Sequence, residues 1–356
     1  MRFAEWALHF YRLPYARDVV WANAVERSGL YALLKLVSDD GATGIAEGTL
    51  KDTWSGVSPK SLAAVLEDIL LPRLKQLDLA DDKAVSAAFA GIPENRMAKG
   101  MVESACWTMR AAAASTPPWK LWGHSGTVEV AWTVTRQAPA LMAAESAEVC
   151  GQYGFRTLKV KGGQGLDTDL RALKDIRAAV GPGVELYVDA NSHYARGEAA
   201  GYVAALAGVG VTVVEDPCRL APDEHFAKLQ AGSPIPILVD RSCASQEDAA
   251  LYLERGARAL STKPGRVGLS ETRGIAAMAA ARGAKTAVGI YAESALGTLI
   301  NLQQAGSMAA EQTFFLTHTA QVATLMPEIR GGRVVLPKEA DLSRLVDWPA
   351  VRKHMI

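Results

Sequence analysis

Between residues 127 and 319, short apolar runs of strand length alternate with helical patterns, and no other feature constrains this chain so strongly. The runs are "TVEVAWTV", "TLKVKG", "ELYVDAN", "VTVVEDP", "PILVDRS", "ALSTKPG", "KTAVGIY" and "TFFLTHT". Between them lie "DLRALKDIRAAV", "GEAAGYVAALAGV", "HFAKLQAG", "QEDAALYLERG", "LSETRGIAAMAAARG" and "SALGTLINLQQAG". Eight strands with intervening helices over about 190 residues predict an α/β chain folded as a (β/α)8-type parallel barrel. A doubly wound sheet shares the local texture, but the strand count favours the barrel.

The preceding residues read as α+β. "WALHFYRL" and "LYALLKLVSDDG" alternate like strands, with "DDG" turning the chain toward "ATGIAEG". Helical stretches follow over "SPKSLAAVLEDILLPRLKQL", with Ser58 as N-cap and Pro59 in the first turn, and over "RMAKGMVESACWTMRAAAAS". The Pro- and Gly-rich "TPPWKLWGHSG" (116–126) marks the boundary. The expected division is a cap over 1–122, a barrel over 123–325 and a C-terminal segment over 326–356.

The 38 basic and 38 acidic residues balance, which removes the electrostatic footprint of a nucleic-acid binder. No apolar run approaches the roughly 20 residues of a membrane span, and the start lacks a signal-peptide pattern. Cys106, Cys150, Cys218 and Cys243 are widely spaced with no C-x-x-C pair, as expected of reduced thiols in a cytoplasmic protein.

Six charged residues stand at or just past predicted strand ends: Lys161, Asp189, Glu215, Asp240, Lys263 and Glu293. Their separations of 28, 26, 25, 23 and 30 residues each correspond to one βα unit. All strand C-termini of a parallel barrel open on one face, so these residues converge on one mouth. Asp189, Glu215 and Asp240 offer three hard oxygen donors without histidine or cysteine, a set suited to Mg²⁺, with Mn²⁺ as a substitute. Ion pairing with the neighbouring lysines is the bland alternative. Lys159 and Lys161 project from the same face of one strand, and Lys263 stands across the barrel. Positive charge nearby is expected to lower a lysine pKa toward the range of a general base. A divalent cation on a substrate carboxylate stabilises the enolate left by removal of its α-proton.

Taken in order, "LKVKGG", "VDAN", "VEDP", "LVDRS", "STKPGRVGLSETR" and "IYAESALGTL" resemble the enolase superfamily, in its muconate lactonizing enzyme subgroup. Enolase-superfamily sites pair a Lys or His base with Mg²⁺. The resemblance implies a (β/α)7β TIM-type barrel under an N-terminal α+β capping domain, with the C-terminal segment returning to the cap. It implies metal ligation by Asp189, Glu215 and Asp240, acid/base roles for Lys161 and Lys263 on opposite substrate faces, and an enolate-stabilising role for Lys159. Asn191 and Glu293 resemble supporting polar groups. Specificity would come from cap loops near 15–28 and 48–57, where Trp21 and Trp54 either bind substrate or merely pack the cap. The implied partner is a small carboxylate substrate, and the implied assembly a homo-oligomer.

The chain departs from the subgroup in places. Arg241 stands where Glu commonly follows the third ligand, "KPGRVGL" keeps one glycine of the usual pair, and "ESACWTMRAAAAS" lacks the usual leading Asp. "FFLTHTAQ" lacks the Asp-x-Asp with which dipeptide epimerases hold a substrate ammonium, which argues against a dipeptide. His318 either lines the pocket or is a satisfied core histidine. "KGGQG" follows a strand but matches neither a dinucleotide fingerprint nor a P-loop. Cycloisomerisation, racemisation of an N-acylamino acid and an o-succinylbenzoate-forming dehydration share the same lysines. A catalytically retired barrel serving as a binding module is the reading from another class.

Overall fold

A computed structural model describes residues 1–21 and 25–356. The chain opens with an antiparallel sheet in the order β1 (Phe3–Val20), β2 (Val25–Ser38) and β3 (Thr43–Thr49). The turn predicted at "DDG" joins β2 to β3, with Gly41 at φ 83°, where a side chain would be strained. One face of this sheet is apolar, and it is covered by the helices that follow. Ser58 caps the helix Pro59–Ala64 as predicted, its side chain accepting from the Ser61 N–H. That helix widens to i→i−5 bonding over Val65–Leu70, where the Leu71 N–H reaches the Leu66 carbonyl, before Pro72 enters the next turn. The helix Arg96–Ala113 is buried on most of its surface between the cap sheet and the barrel.

The barrel is a parallel sheet of seven strands in sequence order: β5 (Trp132–Val134), β6 (Thr157–Lys161), β7 (Glu185–Asp189), β8 (Val211–Glu215), β9 (Ile237–Val239), β10 (Ala259–Thr262) and β11 (Lys285–Val288). Its outward residues, such as Leu158, Val160, Leu186 and Val214, join the helices in one core. The predicted first run "TVEVAWTV" divides: Thr127–Glu129 (β4) leaves the barrel for a small antiparallel sheet with β12 (Ile329–Arg330) and β13 (Arg333–Val335). A helix at Pro139–Tyr153, absent from the expected pattern, fills the first crossover.

The expected eighth strand requires correction. Residues Phe314–Thr317 form a 3₁₀ turn, and closure falls to the preceding segment. There the Met308 and Glu311 N–H groups donate to Thr286 and Val288 of β11 (3.0 and 2.8 Å). On the other side Ala310 exchanges hydrogen bonds with Glu129 and Ala131, both 2.8 Å. "TFFLTHT" has the aromatic content of a strand, but Phe314 packs against Tyr15 and Trp21 of the cap while Phe315 enters the barrel core. The chain ends at the cap, where the helix Trp348–His354 lies against β1 and the Ile356 N–H donates to Phe10.

Cap and barrel backbones come into close contact at Gly100. A Cβ there would stand 2.4 Å from the Val267 carbonyl carbon and 2.5 Å from the Gly268 nitrogen, on the loop that follows Lys263. Both obstacles are backbone, so Gly100→Ala must push the helix and that loop apart. We expect a loss of about 1–3 kcal/mol in urea unfolding.

Candidate active site

Register places the site before any side-chain detail. Lys161 of β6 pairs with Asp189 of β7, and Asp189 with Glu215 of β8. These three therefore share one rung at the strand C-termini. Glu215 pairs with Leu238 of β9, so Asp240 stands two residues further along, just past that strand. One layer below, Lys159 pairs with Tyr187. Both lysines of "LKVKGG" face inward, since each reaches Asp189.

Lys159 is deeply buried, 1% exposed. Its Nζ lies 2.6 Å from Glu215 Oε2, 2.8 Å from Glu311 Oε2 and 3.2 Å from Asp189 Oδ2. Lys161 Nζ is 2.6 Å from Asp189 Oδ2, and Lys263 Nζ is 2.5 Å from Asp240 Oδ2. Burial pulls Lys159 down, but Glu215, Glu311 and Asp189 hold it well above the usual lysine value. Burial also disfavours the charged form of Lys263, and Asp240 outweighs it, so that amine too is raised. This is opposite to the lowering expected from neighbouring cations, because carboxylates are the nearest charges.

The carboxylates diverge in consequence. Burial alone would raise Asp189 and Asp240. Lys161 and Lys159 overcome it at Asp189, and Lys263 and Arg266 at Asp240, holding both far below the usual range. Glu215 goes the other way, pushed up by burial and by the charge of Asp189. As they stand, the three do not converge on a common point, and no such group of metal-binding side chains exists among the described residues. Each is turned to an ammonium instead. The donor set nevertheless suits a hard cation: Asp240 Oδ1 is buried with no hydrogen-bond donor, and Arg266 Nη1 stands 3.9 Å from it.

The supporting residues separate by position. Asn191 adopts a left-handed turn at φ 50°, from which its N–H and Nδ2 both donate to Asp189 (2.8 and 3.0 Å). Glu293 lies behind the site, 2% exposed, accepting from the Tyr291 N–H and Asn301 Nδ2, and burial pushes it up to about 7. Trp21 and Trp54 line the mouth of a 230 Å³ cavity together with Lys161, Asp189, Asp240 and Lys263. Their ring centroids are 4.9 Å apart, and Lys51 Nζ sits over both rings. Of the cap loops expected to set specificity, 48–57 carries Trp54, whereas residues 22–24 of the 15–28 segment lie outside the described residues. His318 is not in the cavity wall. It bonds Tyr31 Oη at 2.6 Å and packs among Tyr15, Tyr31 and Phe314, and burial lowers it to about 4. It is a core histidine.

Two site residues escaped sequence reading. Glu311, fully buried, accepts from Tyr187 Oη at 2.5 Å besides pairing with Lys159. It sits on the segment that truly closes the barrel, so the misplaced eighth strand hid it. Asp216 takes the Asp240 and Arg241 N–H groups (3.2 and 3.0 Å) and fixes the turn after β9. The acidic "VED" pair was its only signal.

Replacing Lys159 with Met leaves Glu215 and Glu311 buried without a cation, while Asp189 keeps Lys161. We expect a loss of about 3–5 kcal/mol at pH 7, read by urea unfolding in EDTA. Glu215, already raised by burial and by the charge of Asp189, is neutralised more readily as pH falls, so the deficit should shrink from pH 7 toward about 4.

Residues 141–343 match the family described as enolase C-terminal domain-like. The chain is 30% identical over 339 residues to an o-succinylbenzoate synthase of Geobacillus kaustophilus, spanning 91% of this chain and 88% of that one. It is also 30% identical over 272 residues to an L-Ala-D/L-Glu epimerase of Bacillus subtilis, at 74% of each chain. In fold it resembles a muconate lactonizing enzyme from Mucobacterium Smegmatis complexed with muconolactone, with a TM-score of 0.93, 21% identity and full coverage of both chains. The chain therefore belongs to the enolase superfamily, in its muconate lactonizing enzyme subgroup.

Proposed function

We propose that this enzyme removes the proton α to the carboxylate of a small organic acid, with Lys161 and Lys263 as the acid/base pair on opposite faces of the substrate. The observation that carries this reading is the placement of the two amines. They line one cavity, come from β6 and the end of β10, and are paired to different carboxylates, Asp189 and Asp240. Three strands separate β6 from β10 in a barrel closed by one further segment, which puts the amines on facing walls.

Asp189, Glu215 and Asp240 would hold Mg²⁺, or Mn²⁺ in its place. When bound, such an ion supplies the positive charge that makes an α-proton next to a carboxylate acidic enough to remove. The chain's own residues do the rest. A lysine released from its carboxylate would give up its own proton to solvent and, as the neutral amine, take the α-proton at Nζ, while the opposite ammonium either gives a proton from the far side or remains a fixed charge. Asn191 orients Asp189, while Lys159 places a third positive charge beneath the substrate. Trp21 and Trp54 cover the mouth, which excludes water and strengthens these interactions. Two amines allow racemisation, epimerisation or cycloisomerisation. The 30% identity to o-succinylbenzoate synthase supports a lyase outcome on the same lysines as the second reading. Working as a cytoplasmic homo-oligomer is part of the proposal, carried by the family resemblance alone.

Proton–deuterium exchange in D₂O with Mg²⁺, followed by NMR over N-acylamino acids, muconates and acid sugars, tests the chemistry. Lys161→Ala and Lys263→Ala should each lower α-exchange on an accepted acid by at least about 10²-fold. Full exchange in both variants would overturn the assignment. Calorimetry should show one Mg²⁺ per chain, and Asp240→Asn should weaken it at least about tenfold with the circular-dichroism spectrum unchanged.

A further inference from the structure

The lysines and carboxylates of the site largely neutralise one another, yet the cavity wall as a whole does not balance. Five cationic side chains line it, three of them arginines, against the three carboxylates of Asp189, Asp216 and Asp240. A divalent cation would add to this excess. A substrate with one carboxylate leaves most of it uncompensated.

The arginines differ in how they are held. Arg136 is pinned, with Nε donating to the Gly162 carbonyl at 2.6 Å and Nη2 to Asn191 Oδ1 at 3.2 Å. Arg266 is pinned too, its Nη2 donating to the carbonyls of Asp240 and Cys243 (3.2 and 2.6 Å). Both brace backbone around the site. Arg241 is different. Its backbone N–H is fixed by Asp216, but its guanidinium makes no ion pair or side-chain hydrogen bond among the described residues. It is the exposed arginine of the wall, one residue beyond Asp240. A free five-donor fork at a fixed Cα, facing a cavity already rich in positive charge, is arranged for a planar anion.

We propose that Arg241 is a specificity-determining residue that binds a second carboxylate, at the far end of the substrate from the carbon that loses its proton. This inference rests on the proposed chemistry and narrows its substrate class to dicarboxylates. The remote charge steadies the acid between the two lysines, and monoacids of the same length lack that hold.

Calorimetry on the Mg²⁺-loaded protein with straight-chain diacids of four to eight carbons, each beside its monoacid of equal length, tests this without turnover. At one chain length the diacid should bind at least about tenfold more tightly, as expected for a charged hydrogen-bonded pair. In Arg241→Gln that advantage should collapse toward unity, while Arg241→Lys should keep part of it. An advantage that survives in Arg241→Gln overturns the proposal, as does no diacid preference at any length or no binding by either series. The two readings fail separately. Arg241-dependent diacid binding without α-exchange on any acid would remove the chemistry and keep the second-anion site, whereas α-exchange with equal affinity for diacids and monoacids would do the reverse.

Discussion

The buried ammonium of Lys159 is the interaction on which the rest of the site depends. It draws Glu215, Glu311 and Asp189 together at the barrel axis, and each of the three comes from a different part of the sheet. Burying so many charges is costly unless each is paired and hydrogen-bonded. Here Tyr187 and the Ile290 N–H complete the shell around Glu311. The price is a core that cannot repack freely, since no apolar side chain can replace one partner without stranding the others. That rigidity suits a floor on which reacting groups must be held still.

Above this floor the charges are exchangeable rather than structural. Lys161 and Lys263 each rest on a carboxylate that is also a candidate ligand, so cation and ammonium compete for the same oxygens. Lys161 and Lys263 help hold Asp189 and Asp240 strongly ionised, whereas burial and the charge of Asp189 push Glu215 up in spite of Lys159. Asp240 likewise favours the charged form of Lys263 in this arrangement, so the basicity of that amine depends on what occupies the carboxylate beside it.

The cap contributes through contact. Glycine at position 100 lets a cap helix touch the backbone beyond Lys263, and Glu47 of β3 accepts from Ser294 and Tyr11 next to the supporting Glu293. Lys51, nearly buried, joins the Trp21 and Trp54 rings to Glu26 on the neighbouring hairpin. The two loops at the mouth are thus tied to each other through Glu26, while Glu47 and Ser294 tie the cap to the barrel.

The sequence by itself determined the barrel, its mouth and five of the six charged positions at strand ends, because short apolar runs and βα spacing are local properties that tertiary packing must obey. Glu293 instead falls behind the site. That Lys159 and Lys161 share one face follows from strand alternation alone, whereas their contacts with Asp189 show that this face points inward. Tertiary structure decided what no local pattern encodes. Closure by residues 308–311 depends on which segment can pair with both β11 and the Glu129–Ala131 stretch, and that choice brought Glu311 under Lys159. His318 became a core residue because Tyr15 and Tyr31 of the cap surround it. The direction of the lysine shifts, and the freedom of Arg241 beside two pinned arginines, arise from distances between strands. A linear chain specifies which charges exist, and only the folded one specifies which of them are neighbours.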